Sequence, residues 1–355
     1  MPLDLYPFET PLSRLRAALV GCGRISRKHF EAFHSNADEI ELVALCDIDD
    51  AALAPLVERE KVRGFSSYDD LLAWGKFDII VLTTPSGLHA RQAIQAADAG
   101  FDVITEKPMA TRWNDGKAMV AAFDRAGRQL FVVKQNRFNA PIQRVKAALD
   151  GGRFGRLFMI TANVFWSRPQ SYYDSAAWRG TWEYDGGAFM NQASHYVDLL
   201  DWLGGPVESV QAFTATLARA IEVEDTGTVS VRWRSGALGS LNVTTLAWPR
   251  DLEGSITIIG EKGTAKVGGL ALNEMLLWEF ADKDAGDETA SSASYETTSV
   301  YGFSHSIYYA NVLSALRGGG KALTGGREGL RALELLVAIY MSARDGKRVS
   351  LPLEY

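Results

Sequence analysis

Residues 17–26 read Ala-Ala-Leu-Val-Gly-Cys-Gly-Arg-Ile-Ser, an apolar run that turns on two glycines and passes into a helical pattern. A strand–turn–helix of this kind commits the chain to a narrow set of folds. Gly21 permits a tight reversal, Gly23 lets the backbone approach a ligand, and the following helix aims free N–H groups at an anion. A pyrophosphate is the anion such a turn is built to hold. Ser26 stands where the third glycine of G-x-G-x-x-G is usual, small enough for close helix–strand packing. The next apolar run, Glu41 to Cys46, ends in Asp47, near the spacing at which an acid accepts hydrogen bonds from an adenosine ribose.

The pattern after Leu15 alternates short apolar strands, near 16–20, 41–46, 78–83, 102–105 and 130–134, with helices near 24–35, 50–60, 87–99 and 111–127. Continuous apolar strands alternating with helices predict a parallel sheet covered on both faces, the doubly wound α/β Rossmann fold. Beyond about residue 135 the spacing changes to a helix near 141–150 and longer strands near 157–166, 207–218, 226–234, 237–246, 254–260 and 274–280. This half is expected to be an α+β domain around a large, open, mostly antiparallel sheet. Residues 281–299 are expected to form an exposed loop, and helices near 305–317 and 327–344 close the chain. With 355 residues, two domains are expected, 14–135 and 136–355. Residues 1–13, with Pro2, Pro7 and Pro11, are expected to be an arm or packed extension.

A formal charge of −6 excludes a dominant basic field, so no nucleic-acid partner is expected and any anionic substrate needs a local cluster of Arg and Lys. No signal peptide or membrane span is evident, and two cysteines without a partner pattern point to the reducing cytoplasm. Five scattered histidines predict no bound metal.

Two loops fall at carboxyl ends of predicted strands, where ligands bind in such sheets: Thr83-Thr84-Pro85-Ser86-Gly87-Leu88-His89 and Glu106-Lys107-Pro108. In the second half, Asn191, His195 and Asp198 share one face of a predicted helix that follows Gly186-Gly187. That face lies away from Leu199 and Leu203 and is expected to line a cavity.

The glycine turn with Asp47, the Glu-Lys-Pro loop and the Gly-Gly…Asn191…His195…Asp198 segment, in this order, resemble the glucose-fructose oxidoreductase/inositol dehydrogenase (Gfo/Idh/MocA) family. The resemblance runs from about Arg14 to the final helix. It implies an NAD-binding domain, an open sheet used for subunit pairing into a tetramer, and hydride transfer at a carbinol carbon with lysine and histidine at the reacting centre. Asn191 stands where many polyol dehydrogenases of the family carry Asp, so it is expected to orient substrate rather than relay a proton. Within the family, Lys134 to Asn139, Trp178 to Trp182 and Gly186 to Gln192 are similar to bacterial 3-dehydrogenases of UDP-N-acetylglucosaminuronate (UDP-GlcNAcA) in lipopolysaccharide and O-antigen synthesis.

On this reading Lys107, His195 and Asn191 are the catalytic candidates. Either Lys107 or His195 is the base. The cofactor, NAD, is expected on Gly21, Gly23, Arg24, Ile25, Asp47, Thr84, Pro85, Ser86, His89, Glu106, Lys107 and Gln135. A UDP-sugar acid is expected on Lys107, Asn136, Arg137, Arg168, Tyr172, Trp178, Arg179, Asn191, Gln192 and His195, because a pyrophosphate and a carboxylate call for planar bidentate donors. A free-sugar or inositol dehydrogenase would not need the arginine-rich segment. A non-catalytic NAD-binding regulator would need neither Lys107 nor His195.

Overall fold

The computed structural model describes residues 13–297 and 300–353. Its first half runs β1 (Leu15–Val20), α1 (Ser26–Ser35), β2 (Ile40–Cys46), α2 (Asp50–Glu60), β3 (Arg63–Phe65), α3 (Tyr68–Trp74), β4 (Ile79–Leu82), α4 (Ser86–Asp98), β5 (Asp102–Thr105), α5 (Trp113–Ala126) and β6 (Leu130–Val132). The strands form one parallel sheet ordered β3-β2-β1-β4-β5-β6. The direction of winding reverses between β1 and β4, which opens a crevice above their carboxyl ends. Ile79 to Leu82 are buried throughout, as a strand covered on both faces must be. Helix α4 packs on α5 through alanines Ala90, Ala93, Ala96 and Ala97, whose small side chains let the helices approach closely. The brief β3 and α3 were not foreseen: three residues with two exposed carry little strand signal, and α3 is held by a Ser67 cap on Asp70 N.

The second half continues with α6 (Ala140–Asp150), β7 (Leu157–Phe165), α7 (Gln170–Asp174), α8 (Ser194–Gly204), β8 (Val207–Ala215), β9 (Thr226–Trp233), β10 (Leu238–Thr244), β11 (Glu253–Gly260), β12 (Gly263–Gly268), β13 (Glu274–Phe280), α9 (Ser304–Leu316), α10 (Gly326–Asp345) and β14 (Val349–Ser350). Eight strands form the sheet β13-β12-β11-β7-β10-β9-β8-β14, antiparallel except where β10 meets β7. Strands β12 and β14 escaped the sequence pattern because one is glycine-bounded and the other is two residues long.

The apolar face of this sheet is covered within the chain, so subunit pairing through the open sheet, which the resemblance implies, would not use this face. Val229, Val231, Trp233, Leu241 and Val243 are all buried within the chain, and α8 and α10 pack on this sheet. The outer face carries Thr226, Thr228, Ser230, Ser240, Asn242 and Thr244, interspersed with exposed Met159, Phe213, Leu238 and Ile259. Within the stretch expected as a loop over 281–299, of which 298 and 299 lie outside the described residues, Asp287–Ala293 form a 3₁₀ turn, tied down by Arg153 on Asp287 at 2.7 and 2.8 Å. The arm expected over 1–13 lies, but for Ser13, outside the described residues.

Candidate functional site

Gly21 has φ +100°, and a side chain there would meet the Thr83 backbone at 2.7 Å, so this position accepts only glycine. Gly23 differs, since nothing lies within 4 Å of where its side chain would project. It opens onto a cavity of about 520 Å³ at the carboxyl ends of the parallel strands. Every residue expected to hold the cofactor borders this cavity: Gly21, Gly23, Arg24 and Ile25; Asp47; Thr84, Pro85, Ser86 and His89; Glu106 and Lys107; Gln135. Asp47 accepts the Cys22 N–H at 2.6 Å and the Asp49 N–H at 2.9 Å, which fixes its carboxylate at the cavity edge with lone pairs to spare.

A second cavity, of about 270 Å³, lies alongside. Asn136, Arg168, Tyr172, Gln192 and His195 line it, and Lys107, Asn191, Arg24, Gln135, Tyr172 and Tyr301 border both spaces. The two halves meet closely here. Gly87 donates to Tyr184 O at 3.1 Å, and a side chain on Gly87 would strike Glu183 O at 2.0 Å.

Asn191 and His195 do not share a helix. Residues Ala188–Gln192 form a π-helical turn and α8 starts afresh at Ser194. The break turns the Asn191 carbonyl toward Lys107, whose Nζ donates to it at 3.0 Å, and the Asn191 side-chain amide donates to the buried Asp185 carboxylate. Glu224 secures the turn by accepting the Phe189 N–H at 2.9 Å and the Tyr340 hydroxyl at 2.8 Å.

Burial lowers the Lys107 pKa, with Glu106 and Asp185 pulling the other way. His195 is held well below the usual imidazole range by burial first and then by the charges of Lys107 and Lys134. A neutral ring beside a cation is the combination that can accept a proton while an oxyanion is stabilised. The Gln135 amide lies 3.0 Å from His195 Nε2, and Nδ1 is buried without a partner.

Arg137 does not reach substrate space, against expectation. Its Nε and one terminal nitrogen grip Asp198 at 2.8 and 2.7 Å, its other terminal nitrogen donates to Leu323 O at 2.9 Å, and it borders neither cavity. Asp198 thereby faces Arg137 and Lys134, 3.6 Å from Lys134 Nζ, and not a ligand space. Two unpaired buried charges would each cost several kcal/mol, so this ion pair belongs to the framework under His195. Arg168 and Arg179 do face the cavities. Arg168 donates to Gln192 Oε1 at 3.2 Å and Asp251 at 2.9 Å, and Arg179 is stacked between Tyr172 at 4.3 Å and Trp178 at 4.6 Å.

Sequence reasoning missed Tyr301, Asp185 and Asp251. Tyr301 lies more than a hundred residues beyond the expected site segments and carries no local signal, while Asp185 stood beside the Gly186-Gly187 pair and was legible as a neighbour of Asn191.

The description "Oxidoreductase family, NAD-binding Rossmann fold" matches residues 15–134, and "Oxidoreductase family, C-terminal alpha/beta domain" matches residues 146–351. Among solved structures, the WlbA dehydrogenase from Bordetella pertussis, in complex with NADH and UDP-GlcNAcA, is 60% identical with a TM-score of 0.95, covering 97% of this chain and 100% of its own. The WlbA dehydrogenase from Chromobacterium violaceum, in complex with the same two molecules, is 60% identical with a TM-score of 0.92 and full coverage of both chains. D-apiose dehydrogenase of Paraburkholderia graminis is 29% identical over 96% of this chain and 91% of its own length.

Proposed function

The chain belongs to the Gfo/Idh/MocA oxidoreductase family, with an NAD-binding Rossmann domain, and from that premise we propose that it oxidises the C3 hydroxyl of UDP-N-acetyl-D-glucosaminuronic acid to the 3-keto sugar. The observation that carries this reading is the pair of adjoining cavities that share Lys107 and Asn191, with Arg168, Arg179, Tyr172 and Trp178 around them. Two relatives at 60% identity were solved with NADH and UDP-GlcNAcA, which supports the same ligand pair here.

Bound NAD supplies the hydride acceptor. Neutral His195 takes the proton from the C3 hydroxyl, and the Lys107 ammonium, anchored on the Asn191 carbonyl, stabilises the alkoxide as the C3 hydrogen leaves with its electron pair. The Gln135 amide gives up His195 Nε2 to the substrate hydroxyl, and Asn191 and Gln192 orient the sugar. Arg168 and Arg179 are the donors for the carboxylate and pyrophosphate, with the stacked aromatics offering a face to the base. The product is a lipopolysaccharide or O-antigen sugar precursor, and the enzyme works in the cytoplasm. Its two cysteines, Cys22 and Cys46, are both free and buried, in keeping with that compartment.

Absorbance at the NADH band, with UDP-GlcNAcA as substrate and UDP-N-acetylglucosamine, myo-inositol and glucose as controls, tests the proposal. Turnover of the uronate should exceed that of UDP-N-acetylglucosamine by about 30- to 1000-fold, the loss of one charge-assisted pair. Equal turnover of both would defeat the carboxylate reading, and oxidation of myo-inositol or glucose alone would defeat the whole assignment.

A further inference from the structure

The five histidines look scattered in the chain, but folding brings two of them onto one carboxylate. His29 on α1 places Nε2 at 3.1 Å from Glu106 Oε1, and His305 on α9 places Nε2 at 3.8 Å from the same oxygen. One ligand atom from each of the three lies within 4.8 Å of the others, and all three side chains are buried. Among the described residues, they are the one group of His, Cys, Asp and Glu side chains so arranged.

The chemistry of the group is only half explained by hydrogen bonding. His29 Nδ1 pairs with the Tyr309 hydroxyl at 2.7 Å, His29 Nε2 pairs with Glu106 Oε1 at 3.1 Å, a contact an ion would replace, and Glu106 Oε2 accepts the Lys107 N–H at 3.0 Å. His305 is different. Both of its ring nitrogens are buried with no hydrogen-bond partner, and 3.8 Å to Glu106 is too long for one. A buried imidazole whose two nitrogens have no protein partner has lone-pair or N–H capacity to spare for a ligand.

We infer that His29, Glu106 and His305 form a binding site for a divalent metal of the zinc type, at the joint between the Rossmann sheet and helix α9. Zinc bonds to imidazole nitrogen and carboxylate oxygen are about 2.0–2.2 Å long, so ligand atoms 3.1 and 3.8 Å apart subtend roughly 100° and 135° at one ion. Two imidazoles with one carboxylate suit zinc and its first-row neighbours and are poor ligands for magnesium or calcium. The Tyr309 contact is the outer partner a metal-bound histidine needs, since it fixes the ring with Nε2 turned to Glu106. An ion here would tie α1 and the end of β5 to α9, bracing the loop that carries Lys107, and has no part in the redox chemistry.

Untagged full-length protein, stripped with chelator, is titrated with cobalt(II) and followed by visible ligand-field absorption and by metal analysis after gel filtration. One cobalt per chain should bind at micromolar concentration, zinc should displace it, and the melting temperature should rise when either is added. His29→Ala and His305→Ala should weaken cobalt binding by about 100-fold or more, while Tyr309→Phe, which keeps all three ligands, should weaken it by about 10-fold. If the alanine variants fail to fold, as circular dichroism will tell, the wild-type titration and Tyr309→Phe still decide. No stoichiometric binding to the wild type, or binding that is indifferent to these substitutions, would overturn the site and leave His305 to a buried water.

Discussion

At the scale of single residues, the charge state of a few side chains decides the chemistry. Asp47 presents a fixed carboxylate at the edge of the cavity proposed to take NAD, where a 2′-phosphate would bring like charges into contact at a cost of several kcal/mol. NAD should therefore be preferred to NADP, and Asp47→Ala should narrow that preference, as kcat/KM for the two cofactors will tell. Lys107→Ala and His195→Asn should each lower kcat by about 10²-fold or more while NAD binding, followed by protein fluorescence, survives. Near-normal turnover in both would reduce them to packing residues. Because burial and the Lys107 and Lys134 charges lower the His195 pKa well below the usual range, the ring stays neutral as pH falls through 6.5. The acid limb of the kcat/KM profile should accordingly lie well below that of an ordinary histidine, and a limb centred near 6.5 would contradict the assignment of His195 as base.

At the scale of the element, the π-helical turn Ala188–Gln192 rests on one buried acid. Burial pushes the Glu224 carboxyl up to about 7, although the Phe189 N–H and Tyr340 hydroxyl pull it down, and Oε2 has no partner. Gly187 is a glycine for this reason: a side chain there would collide with that carboxylate. With the folded pKa above the unfolded one, the fold favours the neutral acid. The contribution to stability is full below the unfolded value near 4.5 and is lost as pH rises to about 7, a change on the order of 3 kcal/mol. Glu224→Gln should remove this slope. Urea midpoints of the two proteins across that window should diverge steadily, and a difference independent of pH would refute the account.

At the scale of the whole molecule, the chain covers its own hydrophobic sheet face with α8 and α10, so any sheet-to-sheet pairing would use the outer face. Threonine, serine and asparagine dominate there, with Met159, Phe213, Leu238 and Ile259 exposed by 42, 69, 48 and 37%. Arg232, Glu253, Lys266 and Glu279 share this face, so exposed apolar side chains lie among neutral polar and charged ones, the mixture of a polar-rimmed contact surface. The tetramer that the family resemblance implies would pair these sheets face to face, and light scattering at micromolar concentration should then give four times the mass of one chain. Phe213→Glu with Leu238→Lys should shift it toward smaller species, and a monomeric wild type would refute the pairing.

The glycine turn, Asp47, the carboxyl-end loops and the alternation of short apolar strands with helices were legible because each is a local pattern: backbone freedom, strand ends and side-chain periodicity are properties of neighbouring residues. For the same reason the twelve residues expected around the cofactor all border one cavity. Sequence spacing failed where a side chain's partner lies far along the chain. Arg137 belongs to a segment rich in substrate candidates, yet Asp198, 61 residues on, claims its guanidinium. Asn191 and His195 are spaced for one helix, yet Glu224 and Tyr340 hold the backbone in a π-turn that separates them. His29 and His305 lie 276 positions apart and meet on Glu106 only because α9 returns to pack on α1. Local sequence thus determined the elements and the crevice above the parallel strands. Which charges stay free for a ligand and which neutralise each other was decided by tertiary packing, because a buried charge must find a partner wherever the fold supplies one.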